Sequence, residues 1–181
     1  MGIIKISDLK KTYNETTIPV HAVNGIDLEF EEGEFAALVG PSGCGKTTFL
    51  NMLGGLEQAT GGSVEIAGTD LSNLKPAELT EFRLKNIGFV FQAYNLIPVL
   101  NAKENIEFIM QLQGHSGVDS EARVDELIEI LGIADQKLKR PSEMSGGQQQ
   151  RVAVARALAS KPKFVLADEP TANVDSHSTE T

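Results

Sequence analysis

The sequence lacks the features that mark secreted and membrane-spanning proteins. Cys44 is the single cysteine, so no disulfide can form within the chain, which suits a reducing compartment. No apolar run approaches the roughly eighteen residues that a membrane-spanning helix needs. The first residues, 1–6, carry no signal-peptide pattern. We therefore expect a cytoplasmic protein whose contact with any membrane depends on a partner.

Basic residues are too few for a protein that wraps a nucleic acid. The chain has 16 lysines and arginines against 25 acidic residues, which gives a net charge of −9. Nucleic-acid binding relies on basic side chains that displace counterions from phosphates, so we expect no nucleic-acid partner. What the chain does have is 181 residues with 41% hydrophobic side chains, enough for the core of one α/β domain.

Hydrophobic periodicity predicts strands early and late in the chain and helices between them. Alternation over residues 26–30 is typical of a half-exposed antiparallel strand, so the early strands should form an antiparallel unit. Apolar residues from Val124 to Leu131 recur at helical spacing, and Gly132 should end that helix. The predicted strands are residues 3–8, 23–30, 35–39, 63–67, 87–91 and 164–168.

Residues 40–47 fit the pattern G-x-x-x-x-G-K-[ST] of a phosphate-binding loop. The apolar run 35–39 precedes them and the helix-like run 47–53 follows, which is the strand, loop and helix context that the pattern requires. Glycines let backbone N–H groups surround phosphates, and the helix dipole adds positive charge. We expect Lys46 to contact the β- and γ-phosphates and Thr47 to bind Mg²⁺. The expected nucleotide contacts here are Gly40, Pro41, Ser42, Gly43, Cys44, Gly45, Lys46, Thr47 and Thr48.

Polar side chains that could complete this site follow two predicted strands. Asp168 and Glu169 come after one apolar run, and Gln92 comes after another. Ligands of open parallel sheets bind at the carboxyl ends of strands, so Asp168 and Gln92 are candidates for Mg²⁺. Glu169 could polarise an attacking water, and we therefore expect catalysis from Glu169, Lys46 and Gln92. Taken alone, the acids could be a solvated strand end and Gln92 a loop residue.

A second candidate phosphate site is Ser145-Gly146-Gly147-Gln148, before a predicted helix. A capping box explains Ser145 and Gln148 but not the two glycines, which cost about 1 kcal/mol each relative to alanine within a helix. Bare backbone at the positive end of a helix suits the close approach of an anion.

Together these segments resemble the nucleotide-binding subunit of ATP-binding cassette (ABC) transporters, from near Met1 to Asp175. The resemblance implies an α/β fold: a P-loop NTPase core with a mainly parallel sheet, an antiparallel β wing and an inserted helical subdomain at about 93–143. These would form a single ATP-binding domain, residues 1–181. It also implies a head-to-tail homodimer that binds two ATP molecules with Mg²⁺. Each ATP would lie between the 40–47 loop of one subunit and Ser145–Gln148 of the other.

The resemblance assigns further residues and a partner. Tyr13 would stack on adenine, although it could be a strand-end aromatic without a ligand. Asp175 would lie in the loop that crosses the dimer interface, and Gln92 in the loop that senses an integral-membrane permease. The protein would then be cytoplasmic and peripheral on the inner face of the cell membrane. A loop rich in apolar residues either receives this permease or packs within the helical subdomain; it contains Tyr94, Leu96, Ile97 and Leu100.

Segments 88–92, 95–98 and 145–153 resemble lipoprotein-releasing and macrolide-export ATPases, which favours an exporter. The sequence departs from the family in one respect. In the family, a histidine that contacts the γ-phosphate lies well beyond the position of Glu169, and His177 is too close to Glu169 to be that residue. We therefore expect the domain to be incomplete at its C-terminus. Three functions therefore compete. The first is the ATPase of an exporter. The second is a module that binds ATP with little or no hydrolysis, because the histidine that contacts the γ-phosphate is missing. The third is an ABC protein of DNA repair or translation, which the acidic charge disfavours.

Overall fold

The computed structural model describes residues 2–14 and 18–170. The chain divides into two compact units, residues 1–80 and 81–181. Helix α2 (Pro76–Asn86) contains the point of division. In the described part of the chain, no helix combines the length and the apolar character needed to cross a membrane.

The first unit is built on a four-stranded antiparallel sheet. Strand β1 pairs with β2 on one side and β3 on the other, which gives the order β2-β1-β3-β4. The predicted antiparallel wing is therefore confirmed. The elements of this unit are β1 (Ile4–Tyr13), β2 (Val20–Phe30), α1 (Lys46–Leu53), β3 (Gly61–Ile66), β4 (Thr69–Asp70) and a short 3₁₀ helix (Leu71–Asn73).

Alternating apolar residues hold this sheet together. Ile4 and Ile6 on β1 are buried, and they lie opposite Ile66 and Val64 of β3. Full burial of such a side chain stabilises the fold by about 1.5–3 kcal/mol. Helix α1 buries Phe49, Met52 and Leu53. These three residues lie at helical spacing, on one face of α1. Their packing fixes the position of the helix and so the position of its first turn.

The second unit combines helices with a two-stranded parallel sheet. Strands β5 (Ile87–Val90) and β6 (Phe164–Ala167) pair with Ile87 opposite Phe164. This pair is the part of the predicted parallel sheet that the described residues contain. The remaining elements are α3 (Ala102–Leu112), α4 (Val118–Ile130), α5 (Gly146–Ala159) and 3₁₀ helices at Ala134–Gln136 and Pro141–Glu143.

Helices α3, α4 and α5 share one apolar core. The helix predicted around Val124 is α4, and Gly132 follows it with φ of 63°, as expected of a residue that ends a helix. That residues 93–143 form a subdomain within a single domain stays a prediction. The core residues are Ala102, Ile106, Met110, Val124, Leu127, Ile128, Ile133, Met144, Val152, Ala155 and Ala159.

One predicted strand is wrong: residues 35–39 carry no regular secondary structure. Phe35 and Val39 are 96% and 94% exposed, although their apolar run predicts a strand. Such a strand needs neighbours for its backbone N–H and C=O groups. In the unit that contains residues 35–39, β2 and β4 are the edge strands of the sheet, and residues 35–39 pair with neither of them.

Candidate functional site

The glycine-rich segment lies in the first unit, between β2 and α1. Residues 40–44 are exposed and lead into Gly45, which is the N-cap of α1. Lys46 and Thr47 open the helix, followed by Thr48, and the first turn contains no acidic residue. The positive end of the helix dipole is therefore not neutralised by its own first turn, as an anion site requires.

Gly45 determines where this helix can begin. Its φ of 96° is a left-handed conformation that residues with a side chain rarely adopt. A Cβ atom at this position would lie 2.1 Å from the carbonyl oxygen of Ala22 on β2. Only glycine therefore allows the N-terminus of α1 to approach the backbone of β2 this closely.

The ammonium group of Lys46 is folded back onto the segment that precedes it. Its Nζ donates hydrogen bonds to the carbonyl oxygens of Gly40 and Pro41, at 2.8 and 3.0 Å. The Sγ atom of Cys44 lies 3.8 Å from the same nitrogen. Within residues 2–14 and 18–170, no carboxylate forms an ion pair with Lys46. A half-buried cation with only neutral partners fits the anionic oxygens of a polyphosphate.

The candidate acids and the glutamine lie in the second unit, at the ends of its parallel strands. Asp168 and Glu169 follow β6, and the Asp168 N–H donates to the carbonyl oxygen of Val90 at 3.0 Å. Gln92 comes two residues after β5. Its Nε2 donates to Oε2 of Glu169 at 2.8 Å, across 77 residues of sequence. The structure thus brings Gln92 and Glu169 together.

Glu169 has a φ of 45°, in the left-handed region. For a residue with a side chain this conformation costs on the order of 1–3 kcal/mol, and such strain concentrates at functional sites. The Glu169 side chain is exposed, whereas Asp168 is half-buried. In the described ranges, no three His, Cys, Asp or Glu side chains cluster around a metal position. Magnesium typically needs only one or two carboxylates, because substrate phosphates and water complete its shell.

The second candidate phosphate segment begins α5. Ser145 is the N-cap: its Oγ accepts from the Gln148 N–H at 3.3 Å, and its N–H donates to Oε1 of Gln148 at 2.8 Å. This confirms the predicted capping box. Gly146 and Gly147 form the first turn, which again contains no acidic residue. Asp175 and His177 lie outside the described residues.

A buried asparagine, which the sequence analysis missed, holds the loop that follows Gln92. Asn105 on α3 is fully buried. Its Oδ1 accepts from the Ile97 N–H at 2.7 Å. Its Nδ2 donates to the carbonyl oxygens of Ile97, Leu100 and Asn101 at 3.2, 3.0 and 2.9 Å. One amide therefore contacts four backbone groups of this loop, and the two hydrogens of Nδ2 are shared among three carbonyl oxygens.

An arginine of α5, also missed, holds the same loop closer to Gln92. Nη1 and Nη2 of Arg156 donate to the carbonyl oxygens of Asn95 and Tyr94 at 2.5 and 2.8 Å. Both residues have left-handed backbone, with φ of 51° and 57°. Burial lowers the pKa of the Arg156 guanidinium, but arginine keeps its charge in proteins. The helix that Ser145 caps, α5, thus also fixes the loop beyond Gln92.

The apolar residues predicted in this loop are half-buried. Leu96 packs against the core of the three helices, which favours the packing alternative for that residue. A signal for Asn105 was present in the sequence, since it interrupts an apolar face between Ala102 and Ile106 and a buried polar group needs partners. No local pattern points to Arg156, whose partners lie 61 and 62 residues away.

These features agree with a comparison of the sequence with known families. Residues 23–172 match the family described as ABC transporter. The chain belongs to this family. It is an ABC ATP-binding cassette of a transporter, and the α/β P-loop fold implied by the resemblance is confirmed by the structural likeness described next.

Several ABC relatives match along nearly the whole chain. An uncharacterised ABC transporter ATP-binding protein of Thermotoga maritima is 45% identical over 96% of this chain and 74% of its own length. The lipoprotein-releasing system ATP-binding protein LolD of Novosphingobium aromaticivorans is 44% identical over 96% of this chain and 77% of its own. The macrolide export ATP-binding/permease protein MacB of Mannheimia succiniciproducens is 42% identical over 99% of this chain, which corresponds to 28% of MacB.

A solved ABC cassette has the same fold. That structure is described as a dimer in a post-hydrolysis state, bound to ADP and Pi. The two chains are 40% identical and superpose with a TM-score of 0.90, over 98% of this chain and 78% of the other.

The Asn105 network provides a test of how the loop beyond Gln92 is held. Asn105→Asp keeps the shape of the side chain but replaces the donating Nδ2 with an oxygen that faces three carbonyl oxygens. We expect urea denaturation to show a loss of about 3 kcal/mol or more in the free energy of unfolding, because buried acceptors lose their donor and a charge is buried. Asn24→Ala, at an exposed position on β2, should change it by less than about 0.5 kcal/mol. A loss no larger than that of Asn24→Ala would contradict the network.

Proposed function

We propose that the protein binds ATP with Mg²⁺ and, through ATP-driven dimerisation and hydrolysis, energises a membrane exporter. The observation that carries this proposal is the Lys46 ammonium, which lies at the N-terminus of α1 and whose hydrogen-bond partners among the described residues are neutral: two carbonyl oxygens and the Cys44 sulfur. The names of the relatives support the direction of transport, since LolD belongs to a lipoprotein-releasing system and MacB exports macrolides.

In this proposal the first unit holds most of the nucleotide. The backbone of residues 40–48 surrounds the phosphates, and Lys46 exchanges its carbonyl partners for oxygens of the β- and γ-phosphates. That exchange is favourable because the phosphate oxygens carry negative charge, whereas the carbonyl oxygens that they replace are neutral. Tyr13, 36% exposed at the end of β1, stacks on the adenine. Thr47, Gln92 and Asp168 bind Mg²⁺, which neutralises phosphate charge when it is present.

For hydrolysis, Glu169 orients and polarises a water that attacks the γ-phosphorus. A bond forms between the water oxygen and phosphorus, and the bond from phosphorus to the β–γ bridging oxygen breaks. ADP leaves with the electrons of that bond, and the proton of the water passes to Glu169 or to solvent. Gln92 supports this role, because its amide donates to Oε2 of Glu169 and so limits the positions of the carboxylate.

A second copy completes each site. The Ser145–Gln148 segment of one copy binds the γ-phosphate of an ATP held by residues 40–48 of the other, head to tail. Gly146 and Gly147 support this role, since they leave the backbone of a positive helix end uncovered. Asp175 is proposed to lie at the dimer interface. The loop after Gln92 transmits the state of the dimer to an integral-membrane permease, which holds the protein at the inner face of the membrane.

Nucleotide binding is tested by removing the ammonium group. Lys46→Ala should weaken the binding of ATP·Mg²⁺ at least a hundredfold, measured by calorimetry, because about 3 kcal/mol or more of charge compensation at the phosphates is lost. Lys5→Ala removes an exposed lysine of β1 and should leave the affinity unchanged. Equal affinities for the Lys46 variant and the unchanged protein would contradict ATP binding at this loop.

Hydrolysis is tested by neutralising the proposed water-polarising group. Glu169→Gln should lower steady-state ATP turnover at least a hundredfold, which corresponds to about 2.7 kcal/mol of barrier, and leave the Kd for ATP within about twofold. The exposed Glu129→Gln on α4 is the matched control and should turn over normally. Turnover that survives Glu169→Gln would exclude this carboxylate from the reaction.

A further inference from the structure

Tyr13, the proposed adenine contact, is anchored by a side chain that the proposed function leaves without a role. The hydroxyl of Tyr13 donates to Oε1 of Glu57 at 2.5 Å. Glu57 lies 44 residues away in the sequence and belongs to the same unit as Tyr13. Its side chain is 23% exposed, so the contact is partly shielded from water.

A lysine completes the arrangement around the Tyr13 ring. Lys11 precedes Tyr13 by two residues on β1, so both side chains point to the same face of the sheet. The Nζ of Lys11 lies 5.1 Å from the centre of the Tyr13 ring and 3.1 Å from Oε1 of Glu57. It also donates to the carbonyl oxygen of Gln58 at 2.8 Å. Oε1 of Glu57 thus holds both the Tyr13 hydroxyl and the Lys11 ammonium, and this ammonium lies over the Tyr13 ring.

The segment that carries Glu57 is itself fixed to α1 and to β1. The N–H groups of Leu56 and Glu57 donate to the carbonyl oxygen of Asn51 within α1, at 2.8 and 3.2 Å. The N–H of Thr60 donates to the carbonyl oxygen of Lys10 on β1 at 2.9 Å. The segment therefore connects β1 to α1, and the first turn of α1 is the proposed phosphate site.

We propose that Glu57 is a positioning residue for base recognition: it holds the Tyr13 ring at a fixed place relative to α1, with Lys11 against the ring. Adenine then stacks on a ring that is already ordered, so binding costs less side-chain entropy. This inference rests on the proposed ATP binding and deepens it, because it assigns the base and phosphate ends of the site to different residues.

The test compares two ligands that share the phosphates but not the base. Calorimetry measures the Kd of ATP·Mg²⁺ and of inorganic tripolyphosphate with Mg²⁺. Glu57→Ala should weaken ATP about tenfold, since a charge-assisted hydrogen bond that orders the ring is lost, and should leave tripolyphosphate unchanged. Glu57→Gln keeps an oxygen acceptor for the Tyr13 hydroxyl and should recover part of the loss. Glu65→Ala, an exposed glutamate of β3, should change neither ligand.

A second pair of variants tests whether Glu57 acts through Tyr13. Tyr13→Phe keeps the ring but removes the hydroxyl, and should weaken ATP by about as much as Glu57→Ala does. The double variant should then bind ATP no more weakly than Tyr13→Phe alone, because both changes remove one interaction.

The results separate this inference from the proposed function. If the unchanged protein binds ATP but Glu57→Ala leaves the ATP affinity unaltered, the positioning role is wrong and the proposed function stands. An equal loss for ATP and tripolyphosphate would also overturn it, since Glu57 would then support the phosphate loop. If the unchanged protein binds neither ligand, the proposed function itself fails.

Discussion

The close approach of α1 to the backbone of β2 is the constraint on which the first unit depends. Gly45 permits it, because a side chain there would collide with the Ala22 carbonyl oxygen. Once the helix begins at this point, Lys46 falls at its positive end, and the chain leaving the helix carries Glu57 to the hydroxyl of Tyr13. One short helix therefore sets the positions of the residues proposed for the phosphates and for the base.

The second unit is organised around the loop between β5 and α3. Two consecutive residues of this loop, Tyr94 and Asn95, have left-handed backbone. Few backbone N–H and C=O groups of the loop could therefore form the hydrogen bonds of a helix or a strand. Asn105 from α3 and Arg156 from α5 supply the missing partners. Because Ser145 caps α5, a change in the loop and a change at the Ser145–Gln148 segment act on the same helix. This physical link is what a signal between a permease and a nucleotide would require.

The parts of the site that the sequence predicts are those fixed by local patterns. The glycine loop, the capping box at Ser145 and the helix around Val124 follow from spacing and propensity alone. Partners far apart in the chain are invisible to such patterns, which is why the contacts of Glu57 and Arg156 were missed. Residues 35–39 were misjudged for the same reason, since a strand exists only where a neighbouring strand accepts its hydrogen bonds.

The central claim is that the two phosphate segments of the chain act on the same ATP from opposite copies. It is tested most directly by mixing two variants, Lys46→Ala and Ser145→Arg, each in a Glu169→Gln background that slows turnover. Neither variant can build an intact site by itself, but a mixed dimer contains one intact 40–47 loop facing one intact Ser145–Gln148 segment. With ATP·Mg²⁺, light-scattering sizing should show dimers in the mixture, with one ATP per dimer, and monomers in either variant alone. A mixture that stays monomeric, or Ser145→Arg that dimerises by itself, would contradict the account.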